Sequence, residues 1–297
     1  MEFKILKSVS DCKRAWNYFN PNQNLFDVWD YRYCFFNKDI HRFNFILGKY
    51  KRRIDGLLPL IFNKKEDKYE FFGSFFPEPN FFYIRNKLRI THYLNACPER
   101  TNLKGIHWSE KKYYNFEDDE PTYFLDLLKY KYDYANYMSS FSKKRQKNMR
   151  QELKPLLGSN HRITYNNISN FSSLVDLNIR QFGDESNFAD PYLKKSLRRL
   201  LLTVNRHNIV RMISLKIGKK IEAVDFCVLY KNRFYPIAGG ANIYRYPNIG
   251  KFMTMLDIQS AINEGARYIE FLATFGHWKR LWHFESGMLL KYAKDLN

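Results

Sequence analysis

Residues 270–282, EFLATFGHWKRLW, begin as an apolar strand and break at Gly276 into a cluster of cations and aromatics. Lys279 puts an ammonium just beyond the expected strand end, where it is a candidate to stabilise developing negative charge. Arg280, one residue on, suits a phosphate. Two carboxylates stand inside strand-like runs, Asp225 in AVDFCVL and Glu270 in RYIEFLA. A carboxylate in such a run is costly unless it is paired or lies at a cleft mouth. Each is therefore either a candidate general base for an amine or the partner of a buried group. Gly239 and Gly240 interrupt another strand, which marks a bulge or a close backbone approach. Asn248-Ile249-Gly250-Lys251 opens a helix, whose free N–H groups and dipole attract phosphates. Lys251 would add charge there; a plain helix start after Pro247 is the alternative. The seven histidines lack metal-ligand spacing, and no Gly-x-Ser-x-Gly elbow appears.

The elements that must position these groups follow from periodicity. Strands are expected at 43–50, 56–63, 69–76 and 122–127, with Pro77 and Pro79 fixing a loop over 75–84. A basic helix is expected over 134–156, with Ser142 able to cap its start and six cations against one acid in 143–154. Two helices follow: 172–183, ending at Gly183, and 190–207, opened by Asp190-Pro191. Three strands joined by short turns, at 209–218, 220–230 and 233–242, predict antiparallel hairpins. A helix over 248–266 and a strand at 267–273 then lead into the cationic cluster.

Composition narrows the function classes. With 45% hydrophobic residues among 297, a packed core is easily supplied and chain-wide disorder is excluded. The net charge of +19 is uneven, +5 over residues 1–140 and +14 over residues 141–297. A polyanionic partner is expected on the second half: nucleic acid, a phosphorylated cofactor or an anionic lipid surface. Cys12, Cys34, Cys97 and Cys227 form no C-x-x-C pair and are expected as separate thiols. The most apolar stretch, GLLPLIF at 56–62, is too short to span a bilayer, so a cytoplasmic protein without integral membrane association is expected.

The order of these features is that of a known family. Gly239-Gly240, Tyr244, Tyr246, Pro247 to Gly250, Gly265, Tyr268 to Phe271, Gly276 and Trp278-Lys279 resemble the GNAT acyltransferase superfamily. The likeness is to its CelD-like and Fem-like branch with tandem GNAT domains. IDGLLPLIFNKKEDKYEFFGSFFPEPNFFYI is similar to the branch's first domain, and YFLDL with SFSKKRQKNMRQELK is similar to its linker. Glu270 replaces the branch's usual Asp, and the superfamily's pyrophosphate signature is reduced to Asn248 through Lys251.

The resemblance implies an α+β fold of two GNAT-like domains, each a mixed, largely antiparallel sheet flanked by helices. Residues 1–137 would be a degenerate, acceptor-side domain and 138–297 the donor-binding, catalytic one. An amine acceptor would attack the bound donor directly. Lys279 would sit near the donor carbonyl, with Gly239, Gly240, Asn248, Gly250, Lys251 and Arg280 on the donor and Asp225 or Glu270 as base. Acyl-CoA is the donor the superfamily implies, without a metal. Aminoacyl-tRNA is the alternative that the Fem-like features imply, which makes tRNA a candidate partner. A catalytically inactive GNAT fold that binds RNA or serves as a scaffold is the rival, and peripheral membrane contact is compatible with each.

Overall fold

The aromatic and β-branched runs of the first half become a strand-rich unit, with chain breaks where prolines and charged turns fall. In chain order it holds β1 (Glu2–Leu6), α1 (Val9–Phe19), α2 (Trp29–Tyr33), β2 (His41–Phe43), β3 (Phe45–Tyr50), β4 (Arg53–Leu58), β5 (Leu60–Asn63), β6 (Lys68–Phe71), β7 (Tyr83–Ile84), α3 (Ile90–Asn95) and β8 (Thr101–Ile106). The expected strand at 56–63 is two strands, because Pro59 has no N–H to continue a ladder. The computed structural model describes residues 1–73, 76–273 and 277–294, so part of the expected 69–76 strand and Gly276 lie outside the described residues.

β9 (Glu117–Asp126) carries the chain into a second unit. There follow α4 (Tyr134–Ser139), α5 (Lys143–Leu157), β10 (His161–Tyr165), α6 (Phe171–Phe182), α7 (Pro191–Arg206), β11 (Val210–Ile217), β12 (Lys220–Tyr230), β13 (Arg233–Ala241), α8 (Ile249–Asn263), β14 (Tyr268–Ala273) and the short α9 (His277–Arg280). The last strand, β15 (Glu285–Lys294), pairs with β8 and belongs mostly to the first unit. By contact, the first unit comprises Met1–Thr122, Ala273–His277 and Ser286–Asn297, and the second Tyr123–Leu272 and Trp278–Glu285. The boundary expected at 137/138 falls inside the second unit, whose core already includes Tyr123, Leu125, Leu127 and Tyr137.

Local chemistry explains the second unit. Asp190 accepts hydrogen bonds from the Tyr192 and Leu193 amides, so α7 starts where Asp-Pro places it. The helix then buries Leu193, Leu197, Leu200, Leu201 and Val204. The basic helix expected over 134–156 is two helices. Ser139 and Ser140 hydroxyls turn back onto the Asn136 and Tyr137 carbonyls, and Ser142 starts α5 by accepting from the Arg145 amide. β10, β11, β12 and β13 form an antiparallel run, as the short turns predict for the last three. α6 packs against β12 and β13, and α8 also packs against both strands.

Candidate active site

β14 lies parallel to β13, but only Arg233↔Tyr268 and Phe234↔Ile269 are paired. β13 continues to Ala241 with its β14-side ladder ended. A strand that parts from its neighbour leaves backbone donors and acceptors available to something else. Two of the groups beyond Phe234 are already taken by α6. The Asn178 side-chain amide donates to the Gly239 carbonyl, and the Ala241 N–H donates to Gln181 Oε1 at 2.9 Å. Between these ends lies the stretch 236–238, in which Pro236 has a carbonyl but no N–H.

The two glycines answer to the protein itself. A side chain at Gly239 would overlap the carboxylate of Asp225, its partner across β12. A Cβ at Gly240 would stand 2.6 Å from the Asn178 nitrogen and 2.8 Å from the Leu174 carbonyl, so α6 sits directly on the strand there. The expected close approach is real, but Asp225 and α6 make it rather than a donor.

α8 opens at Asn248, which takes left-handed backbone (φ 68°) and makes no side-chain cap to the helix amides. Its side chain reaches the Glu152 carbonyl at 3.5 Å. A Cβ at Gly250 would meet nothing within 4 Å, so the first turn faces open space. Lys251 is already engaged. Its ammonium is 2.8 Å from the carboxylate of Glu152, the one acid of the basic helix, and is an ion-pair partner rather than an unengaged cation.

The carboxylates separate into two environments. Glu270 on β14 is ion-paired with Arg233 on β13, where the two strands still run together. Burial pushes its pKa up while the guanidinium pulls it down. That geometry makes it a strand-to-strand tie, the second of the two readings open to it. Asp225 is ion-paired to no cation among the described residues. It is hydrogen-bonded to Asp257 of α8, and Asp257 in turn accepts from the Cys227 thiol at 3.4 Å. Asp257 is 4% exposed, whereas Asp225 keeps part of its surface open. Burial raises both carboxyls, Asp225 to about 7, and raises the thiol as well.

Lys279 is 3% exposed. Its ammonium donates to the Phe271 carbonyl at 2.9 Å and the Leu272 carbonyl at 3.2 Å, and lies 5.0 Å from the Tyr123 ring centre. Leu272 has left-handed backbone (φ 54°), so the ammonium secures the irregular end of β14. This is a holding geometry rather than one aimed outward at an oxyanion. Trp278 packs edge-on to Phe271, as expected of an aromatic after the turn, and Arg280 is exposed.

Sequence reasoning missed Asp257, Cys227 and Glu152. The signal for Asp257 was an acid inside the apolar stripe of MLDIQSAI, and for Cys227 its place two residues from Asp225 on one strand face. No group of His, Cys, Asp or Glu able to hold a metal occurs among the described residues.

Residues 143–280 match the family model described as Acetyltransferase (GNAT) domain. Among solved structures the chain is similar to FemX, at 10% identity and TM-score 0.59, covering 99% of this chain and 98% of that one. It is similar to a tandem GNAT protein from the clavulanic acid biosynthesis pathway, solved without AcCoA, at 7% identity and TM-score 0.54 over 98% of each chain. It is also similar to L-PGS from Bacillus licheniformis, at 10% identity and TM-score 0.53, covering 98% of this chain and 93% of that one. No curated protein sequence matches the chain. At these identities the structural likenesses speak to fold, an α+β arrangement of two GNAT-like domains. Taken with the parted β13 and β14 and the helix between them, the match over residues 143–280 and these likenesses give the chain a tandem-GNAT, Fem-like fold.

Proposed function

We infer that the protein is an N-acyltransferase that moves an acyl group from acyl-CoA to an amine by direct attack. The observation that carries this reading is the parting of β13 from β14 after two paired residues, with the uncapped start of α8 following it in the chain. An amide-bearing pantetheine arm is a suitable partner for the strand groups within 236–238. The N–H groups of Gly250 and Lys251 and the dipole of α8 favour the donor's phosphates. Lys251, held by Glu152, contributes position more than net charge. Lys279 keeps the end of β14 in shape, so positioning is its proposed role. Isothermal calorimetry with acetyl-CoA tests the reading. Gly250→Val should raise Kd more than about tenfold, while Lys251→Ala should do less. A folded Gly250→Val protein that binds acetyl-CoA normally removes α8 from the donor site.

A second reading, aminoacyl-tRNA as donor, is favoured by α5. Lys143, Lys144, Lys147, Arg150 and Lys154 are exposed on it, and its single acid is engaged by Lys251. Such a face suits a phosphate backbone. A chain that binds tRNA while neither donor supports transfer would instead be the inactive RNA-binding fold.

A further inference from the structure

Asp225 and Asp257 share a hydrogen bond in the interior of the second unit, beside the Cys227 thiol that bonds Asp257. Each element around them contributes to that setting. β12 supplies Asp225 and Cys227, α8 supplies Asp257, β13 presents Gly239 without a side chain, and β11 presents Ile213 opposite Asp225. Among the described residues no Lys, Arg or His is ion-paired to either carboxylate. Two carboxylates in contact cannot both ionise without severe repulsion, so one proton stays between them at neutral pH.

The placement indicates which oxygen carries it. Asp257 is enclosed, and the Cys227 thiol donates to its Oδ1. Asp225 is the partly exposed member, and its partner across the ladder is Gly239, beyond the residues of β13 that pair with β14. We propose that Asp257 is held as a carboxylic acid that hydrogen-bonds the Asp225 carboxylate, and that Asp225 is thereby the base taking a proton from the acceptor's ammonium. This rests on the acyl-transfer reading above and extends it from the donor to the acceptor side of the same site.

The proton balance is simple. Asp225 removes one proton from R–NH3⁺, leaving a neutral pair of carboxyls, which the desolvated surroundings favour over two charges. The nitrogen lone pair attacks the acyl carbon and the N–C bond forms. The C–S bond to the donor breaks, and the leaving thiolate takes the nitrogen's second proton. Asp225 returns its proton to solvent through its exposed edge. The raised pKa of Asp225 places this base near neutrality, where a general base works best. Asp257 acts through Asp225 and is a positioning residue.

The test follows coenzyme A release from acetyl-CoA across pH, with primary amines as acceptors, in the full-length protein. Asp225→Asn should lower kcat/KM by about 100-fold or more and remove the acidic limb of the pH profile. Asp257→Asn, which mimics the protonated acid, should keep activity within a few-fold. Asp257→Ala should move the acidic limb to higher pH, because the carboxylate loses its donor. Turnover that persists in Asp225→Asn, or equal behaviour of Asp257→Asn and Asp257→Ala, overturns the inference and leaves acyl transfer standing. No turnover by the unaltered protein sinks the acyl-CoA reading and the role of the pair as base with it. Infrared spectra at neutral pH read the pair without any substrate. A protonated-carboxyl band that is absent from the unaltered protein, or that survives Asp257→Asn, also overturns the inference.

Discussion

Gly240 and Gly250 show how differently two glycines of one domain are constrained. Gly240 has α6 backbone atoms where a Cβ would stand, whereas Gly250 faces open space. Gly240→Ala should therefore destabilise by about 1–3 kcal/mol, the usual scale of overpacking against atoms that cannot move aside. Gly250→Ala should be neutral or slightly stabilising, since helical backbone accepts alanine readily. Urea unfolding of the two variants checks the contrast. Lys279 makes a sharper residue-scale case. Lys279→Met leaves the Phe271 and Leu272 carbonyls without their ammonium, at a cost of about 1–3 kcal/mol. Turnover should fall by roughly 100-fold, because the end of β14 is displaced. A variant with full turnover would show that the chemistry does not depend on this end of the strand.

At the scale of elements, α8 and β12 carry a cost that their packing alone does not require. The buried pair binds protons more tightly in the folded chain than it would when unfolded. Unfolding therefore releases protons above the ordinary carboxylate range, and stability falls as pH rises from there through neutrality. Replacing Asp257 by Asn removes one of the two groups. Asp257→Asn should raise the melting temperature more at pH 8 than at pH 5, and flatten its dependence on pH. Melting curves at both values, with Asp126→Asn as a control outside the pair, provide the measurement. An unchanged pH dependence would mean that the pair does not set it. A pair that weakens the domain near neutrality yet sits beside the parted strands is the pattern expected of a functional group.

For the whole molecule, charge is the property that a single site does not express. The +14 carried by residues 141–297 is concentrated in part on α5, whose exposed cations lack acids of their own helix beyond Glu152. If aminoacyl-tRNA is the donor, binding should weaken steeply with salt as condensed counterions are released. Replacing Lys143, Lys147 and Arg150 by Ala should then reduce the slope of log K against log salt by about two to three units. Filter binding across a salt series measures it. A slope untouched by the triple substitution would place the nucleic acid elsewhere. No helix among the described residues is long and apolar enough to cross a membrane.

Local signals determined the elements of the second unit closely. Asp190-Pro191, Ser142 and the hairpin turns at Gly218-Lys219 and Lys231-Asn232 act within a few residues, so their outcome is written in adjacent side chains. The edge strand β10 and the inner strand β15 were not legible. β10 is mostly polar at its surface, and β15 finds its partner, β8, almost two hundred positions earlier in the chain. The site divides along the same line. Asp225, Gly239, Gly250 and Lys279 could be named from type and spacing. Only tertiary structure decided that Lys251 would meet Glu152, that Glu270 would meet Arg233, and that Asp225 would be left with another acid. A side chain's charge is a property of the residue; whether that charge is neutralised, shared or available depends on what another element brings against it.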